Sequence, residues 1–222
     1  MNWCRVSSTI QANAAKGYAF SSWNGAGSGS YTRFIMMNGP VNETANFHSL
    51  IAITLKSGWN LISLPIIPNS TSIPSLLRSQ IASNEVISVW TYSASSKSWL
   101  VFTPGKPSTL TTMADGNGYL IYMRTADTLY IDGYVIPPGA APPTYQVKVG
   151  WNLVGFKPQP IIQNETVGQY LSSISGSYDE NNVWIYDNPS GAWIRATSTT
   201  MLIPEEAMWI LVTSPSGAIL RR

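Results

Sequence analysis

Nucleophilic catalysis needs a base beside its nucleophile, and this chain offers one histidine, His48, and one cysteine, Cys4. His48 falls at the junction of two sequence blocks and reads as an exposed linker residue. No Gly-x-Ser-x-Gly elbow and no Gly-x-x-x-x-Gly-Lys loop occurs. The Gly25-x-Gly27-x-Gly29 run has no helical pattern after it and fits a hairpin tip better than a phosphate cradle. A lone cysteine allows neither an intrachain disulfide nor a cysteine-rich zinc site. Eleven carboxylates remain, and a glycosidase needs only two, facing each other across a cleft. Asp115, Asp127, Asp132, Asp179, Glu180 and Asp187 all lie near turn signals, where Asp is common for reasons of backbone geometry. Asp115-Gly116-Asn117-Gly118 and Asp179-Glu180-Asn181-Asn182 offer oxygen ligands without the spacing of a calcium loop, and both read as turns. The expectation is no catalytic residue, no metal and no cofactor.

Aromatic rings are the remaining signal: nine tryptophans and eleven tyrosines, whose faces stack on sugars as well as on other side chains. An internal repeat divides them. GWNLISLPIIP begins at Gly58 and GWNLVGFKPQP begins at Gly150. After the first come Val89-Trp90-Thr91-Tyr92, Trp99 and Gly118-Tyr119-Leu120; after the second come Val183-Trp184-Ile185-Tyr186, Trp193 and Ala207-Met208-Trp209. Rings present in both copies serve what the copies share, so Trp59 with Trp151, Trp90 with Trp184, Tyr92 with Tyr186 and Trp99 with Trp193 are assigned to core or interface. The tryptophan after each glycine is expected to fix the core of its unit. Tyr122, Tyr130, Tyr134 and Tyr178 lack an aromatic counterpart and are the candidates for a ligand platform. Asn42, Asn69 and Asn164 head glycan-acceptor sequons.

The elements that must hold these residues are mostly short strands, rich in aromatic and branched residues and bounded by Ser, Asn, Gly and Pro. Ile73, Leu76, Leu77 and Ile81 fall at helical spacing with Thr71 or Ser72 as a cap and Pro74 in the first turn; Val167, Tyr170, Leu171 and Ile174 do the same after Asn164 or Thr166. One short helix per copy is expected. The prolines of residues 136–146 favour a semi-rigid extended link. The division is therefore 1–48, a first repeat unit at 55–135, the proline-rich linker at 136–146, and a second unit at 147–222. The two units are expected to pack about a pseudo-twofold axis, hiding apolar surface that each alone exposes.

Composition narrows the functional classes. A chain of 222 residues with 44% hydrophobic content buries a real core. Only 11% of residues are charged, against roughly 25% in an ordinary soluble domain, and a formal charge of +2 is too small for the field that nucleic acid requires. No apolar run approaches the roughly 20 residues that span a bilayer. The first residues lack a signal-peptide pattern, so any export signal is expected upstream of this chain.

Within 1–48, Gly17-Tyr18-Ala19-Phe20-Ser21-Ser22-Trp23-Asn24-Gly25 is followed by Met37-Asn38-Gly39-Pro40-Val41-Asn42-Glu43-Thr44-Ala45-Asn46-Phe47. These stretches resemble the internalin-type bacterial repeat (Listeria-Bacteroides-like), over residues 9 to 47, which implies a β-grasp-like module of a surface protein. Little precedes Thr9 to supply a first strand, so the module is expected to be truncated, in a chain cut from a longer protein. The later blocks resemble the GWNLxSLP units near the ends of bacterial and archaeal surface proteins. Copy two departs from that pattern at Glu205-Glu206-Ala207, where the Gly-x-Gly turn is missing. The resemblance implies an extracellular or cell-surface setting and no enzymatic activity.

The fold expected is mainly β: a truncated β-grasp-like module, then two homologous small units of antiparallel strands with one helix each. Three functions are open. The first is a non-catalytic structural or adhesive segment of a prokaryotic surface protein, with further modules of the same protein, surface glycans or a second copy as partners. The second is a carbohydrate-binding module using exposed aromatic rings, and the third a hydrolase with a carboxylate pair.

Overall fold

The computed structural model describes residues 6–24, 32–37, 42–136, 140–158 and 165–221, in which the aromatic and branched runs form antiparallel strands. Cys4, the glycine run at 25–29, Asn164 and the linker prolines at 137 and 138 lie outside the described residues. The first block contains β1 (Val6–Gln11), β2 (Tyr18–Asn24), β3 (Thr32–Met37) and β4 (Thr44–Leu55). β1 pairs with β3 and β2 with β4. Residues Val6–Gln11, ahead of the Gly17–Asn24 stretch, form a strand that pairs along its whole length with β3.

β4 does not end with the first block. The run from Phe47 to Leu55 has no Gly or Pro to stop it, and its twelve residues continue through the interval 49–54 that separates the two blocks in sequence. His48 is consequently no linker residue: it sits half-buried inside β4, opposite Ala19.

The next unit is built from β5 (Gly58–Ser63), β6 (Ile67–Pro68), α1 (Ile73–Leu76), α2 (Arg78–Ala82), β7 (Val86–Ser93), β8 (Ser98–Phe102), β9 (Gly118–Met123) and β10 (Asp127–Tyr134). The second has β11 (Thr144–Val147), β12 (Gly150–Gly155), β13 (Glu165–Thr166), α3 (Val167–Tyr170), a 3-10 turn at Ser172–Ile174, β14 (Tyr178–Asp187), β15 (Ala192–Arg195), β16 (Met201–Leu202), β17 (Ala207–Val212) and β18 (Ala218–Arg221). The main sheets run β5-β9-β7-β8 and β12-β17-β14-β15, so the strand order is the same in both. β10 pairs with the second half of β4 as β18 pairs with β11. In place of one helix, each unit has two successive short helical turns, broken at Leu77 and Leu171. Thr166 caps α3 through a reciprocal box with Gln169, whereas the Ser72 side chain makes no cap bond.

Each unit has its own apolar core. Ile53, Leu55, Leu77, Val89, Ile121 and Ile131 belong to the first, and Val147, Phe156, Leu171, Val183, Ile210 and Leu220 to the second. The expectation that paired indoles fix these cores is corrected. Successive strand residues face opposite sides of a sheet, and in Gly-Trp-Asn it is the asparagine that turns inward. Asn60 and Asn152 are 1% and 4% exposed, whereas Trp59 and Trp151 are 40% and 39% exposed. Each asparagine accepts from the N–H of Lys56 or Lys148 and donates to that residue's C=O and to that of Gly58 or Gly150, closing the turn that enters the strand. Both glycines hold positive φ there, 88° and 97°.

The outward faces of the two main sheets meet at a seam centred on Leu61, Leu153 and Ala207. Two backbone hydrogen bonds cross it reciprocally. Ser63 N–H donates to Glu205 C=O (2.7 Å), and Gly155 N–H, at the matching place in β12, donates to Gly116 C=O (3.0 Å). Gly116 and Glu205 adopt the same left-handed conformation, φ 79° and 77°. The turn that lacks its glycines in copy two is therefore kept, with Glu205 in a backbone region that L-residues rarely occupy. A buried ion pair joins the units: Lys157 Nζ lies 2.6 Å from Asp115 Oδ2, which also accepts from the Tyr145 hydroxyl.

Candidate functional site

Alternation places Trp90 and Tyr92 of β7, Trp99 of β8, Trp151 of β12, Trp184 and Tyr186 of β14, Trp193 of β15 and Trp209 of β17 on the seam side of their sheets. Six of these rings, Tyr92, Trp99, Trp151, Trp184, Trp193 and Trp209, line one open groove of about 370 Å3. Trp209 lies at its centre, with its ring edge-to-face against Tyr92 (5.2 Å between centroids), Trp99 (5.7 Å) and Trp151 (6.1 Å). Such contacts hold the rings rigid without covering them. Trp99 and Trp193 keep 43% and 42% of their surface exposed, and Trp151 39%. Thr91 Oγ1 donates to Gly118 C=O (2.7 Å), and Trp90 Nε1 donates to Ser88 Oγ (2.9 Å), fixing the β7 wall.

The groove can do what preorganised aromatic walls do: stack on flat apolar faces, of sugars or of other rings, with little ordering cost. At its far side Lys56 Nζ stands 5.7 Å from the centre of the Tyr186 ring. Just beyond the seam turn, burial pushes the carboxyl groups of Glu205 and Glu206 above their ordinary range. For Glu206 the Ile203 N–H partly offsets this and the charge of Asp187 adds to it.

The tyrosines expected to form a ligand platform do not come together. Tyr178 is corrected outright: it takes the place in the second core that Val86 takes in the first, and burial raises its hydroxyl pKa. Tyr122 is half-buried and stacks on Trp59, 4.8 Å between centroids. Tyr130 and Tyr134 are exposed on one face of β10, about 13 Å apart at strand spacing. Asp132 lies between them, 4.0 Å from His48 Nε2 and within hydrogen-bond reach of Asn69 Nδ2. Asn42 and Asn69 are exposed.

Sequence comparison of the copies could have found the central ring. In the register that leaves Tyr122 opposite Leu211, Trp209 stands opposite Leu120 and likewise lacks an aromatic counterpart. The acidic residues weighed as a catalytic pair are held by other partners: Asp115 by Lys157, Asp127 by Gln80, Asp179 by Asn181 and Asn182, and Asp187 by the Ser190 N–H. Hydrogen bonds from Asn182, chiefly, and from Asn181 hold the Asp179 carboxyl below its usual range. Among the described residues no helix is long and apolar enough to cross a membrane.

Residues 6–50 match the family model of the divergent InlB B-repeat domain. The matched span takes in β1, β2, β3 and the first half of β4, and it overlaps the stretch that resembles the internalin-type repeat in sequence. This part of the chain is therefore similar to a bacterial B-repeat. No curated protein and no solved structure matches the chain.

Proposed function

We propose that the chain is a non-catalytic structural or adhesive segment of a bacterial cell-surface protein built from repeats. The observation that carries this reading is the joining of a B-repeat-like block to the twin units through one unbroken strand, β4. A strand that runs from one block into the next, paired with β2 along its first half and with β10 along its second, transmits tension along its backbone and leaves no flexible hinge at that point. The resemblance of the twin units to GWNLxSLP repeats of surface proteins and the low charge support the same reading. An antibody against the chain is expected to label intact cells of the native host, and external protease to remove the label. Recovery of the protein solely from the cytosolic fraction contradicts the proposal.

A second reading, saccharide binding, is favoured by the groove. Its three most exposed rings, Trp99, Trp151 and Trp193, surround a space that no side chain fills. On an affinity gel of host cell-wall polysaccharide, the protein is expected to be retarded, and the double variant Trp99→Ala with Trp193→Ala to run unretarded. Equal mobility of the two proteins, or a blank glycan array, removes this reading.

A further inference from the structure

The two units differ at the outer edges of their main sheets, β8 in the first and β15 in the second. β8 is covered by its own chain. Val101 N–H donates to Thr109 Oγ1 (2.9 Å), Thr109 N–H donates back to Val101 C=O (3.0 Å), and Leu110 enters the first core, on which Leu100 packs. The segment that does this spans residues 103–111, ahead of the bridge of Thr112 with Ser72; the matching connection in the second unit, 196–200 ahead of Met201, is too short to fold back over β15. Arg195 holds the ladder position of Val101, and Ile194 that of Leu100. Ala196 N–H turns inward to Val183 C=O, so by alternation Trp193 and Arg195 direct their N–H and C=O outward. Among the described residues β15 has no strand neighbour but β14, no isolated bridge and no loop backbone bonded to its outer side. All four of its residues are exposed, Ile194 to 46%.

We propose that β15 pairs antiparallel with β15 of a second copy of this chain, joining two main sheets into one across a twofold axis at Ile194. The strand's own sequence identifies the occupant. Pairing about Ile194 sets Trp193 of each copy opposite Arg195 of the other. Both residues direct a donor and an acceptor outward, so four backbone hydrogen bonds close between the copies. Residues directly opposite share a face of the sheet. Each Arg195 guanidinium, which makes no ion pair among the described residues, therefore meets the exposed Trp193 indole of the other copy, and the two Ile194 side chains meet on the opposite face. Moving the register by two residues sets either Trp193 or Arg195 opposite itself; the first loses the cation–aromatic pairs and the second puts like charges together. Four residues from each copy bury less than the roughly 1,000 Å2 of a durable interface, so the dimer is a weak one that forms where copies are crowded.

Sedimentation equilibrium and amide hydrogen exchange on the whole chain test the pairing. The weight-average mass is expected to rise from 24.2 kDa toward twice that value between about 10 μM and about 1 mM. Over the same range, exchange of the Trp193 and Arg195 amides is expected to slow by at least about twofold. Ile194→Lys sets two lysines on the axis, and Arg195→Pro removes a donor that lies outside the β14 ladder, a place where an edge strand tolerates proline. Both variants are expected to keep the near-ultraviolet circular dichroism of the parent and to remain monomeric across the range. A parent mass constant at 24.2 kDa, self-association without slower exchange at Trp193 and Arg195, or a dimer undiminished in Arg195→Pro overturns the proposal.

Discussion

Glu205 carries two burdens at once: a left-handed backbone, φ 77°, and a carboxyl group whose pKa burial raises. Its counterpart Gly116 holds the same backbone without a side chain. Glu205→Gly is expected to raise stability by about 0.5–1 kcal/mol, the strain relieved less the added freedom of the unfolded chain, read as a higher urea midpoint. Glu205→Ala keeps the strain and is expected to gain less. The pH dependence follows from the sign of the shifts. Above the ordinary value of 4.5, the folded state holds the protons of Glu205 and Glu206 more tightly than the unfolded chain does. The stabilisation from these groups is fully present below that pH and is lost as pH rises through the folded values. As pH rises above 4.5, Glu206→Gln is expected to lose part of the decline in urea midpoint that the parent protein shows. An identical decline in both proteins refutes this assignment. Sequence patterns located this turn and its missing glycines. They did not reveal that Glu205 tolerates the glycine conformation, because that depends on the Ser63 N–H bonding its carbonyl from another unit.

At the scale of elements, β12 and the β9 turn approach too closely for a larger side chain. A Cβ on Gly155 meets Asn117 O and the Ser63 Cβ at 2.4 and 2.7 Å. Gly155→Val is expected to cost about 1–3 kcal/mol and to shift tryptophan emission to the red as the groove opens. The ion pair of Lys157 and Asp115 is buried, with the Lys157 side chain 5% exposed. Lys157→Ala leaves the partly exposed carboxylate to the Tyr145 hydroxyl and water and is expected to lower stability by about 1–3 kcal/mol, whereas Lys157→Met with Asp115→Leu loses less. Periodicity made the strands and their repeat legible, and it assigned the paired rings to a shared purpose. It could not choose which face of each strand is the core. Trp59 and Leu61 alternate with Asn60 and Ile62, and the apolar pattern alone favours the indole side. The decision lies with Asn60 and Asn152, whose amides fasten the entry turn from within.

For the whole molecule, the account rests on two units of one topology locked face to face, with the B-repeat-like block fused to the first through β4. The boundary between blocks was legible as a change of composition, but the continuity of the strand was not, since it depends on β2 and β10 both finding the same partner. The aromatic groove arises only because the seam brings Tyr92 and Trp99 of one unit to Trp151, Trp184, Trp193 and Trp209 of the other. No residue of either unit alone encodes it. Native-state hydrogen exchange at the Ser63 and Gly155 amides tests this arrangement most directly. Both are expected to be protected, with opening free energies that agree within experimental error and fall together in Gly155→Val. Free exchange of these two amides, at the rate of exposed loops in an otherwise folded protein, contradicts it.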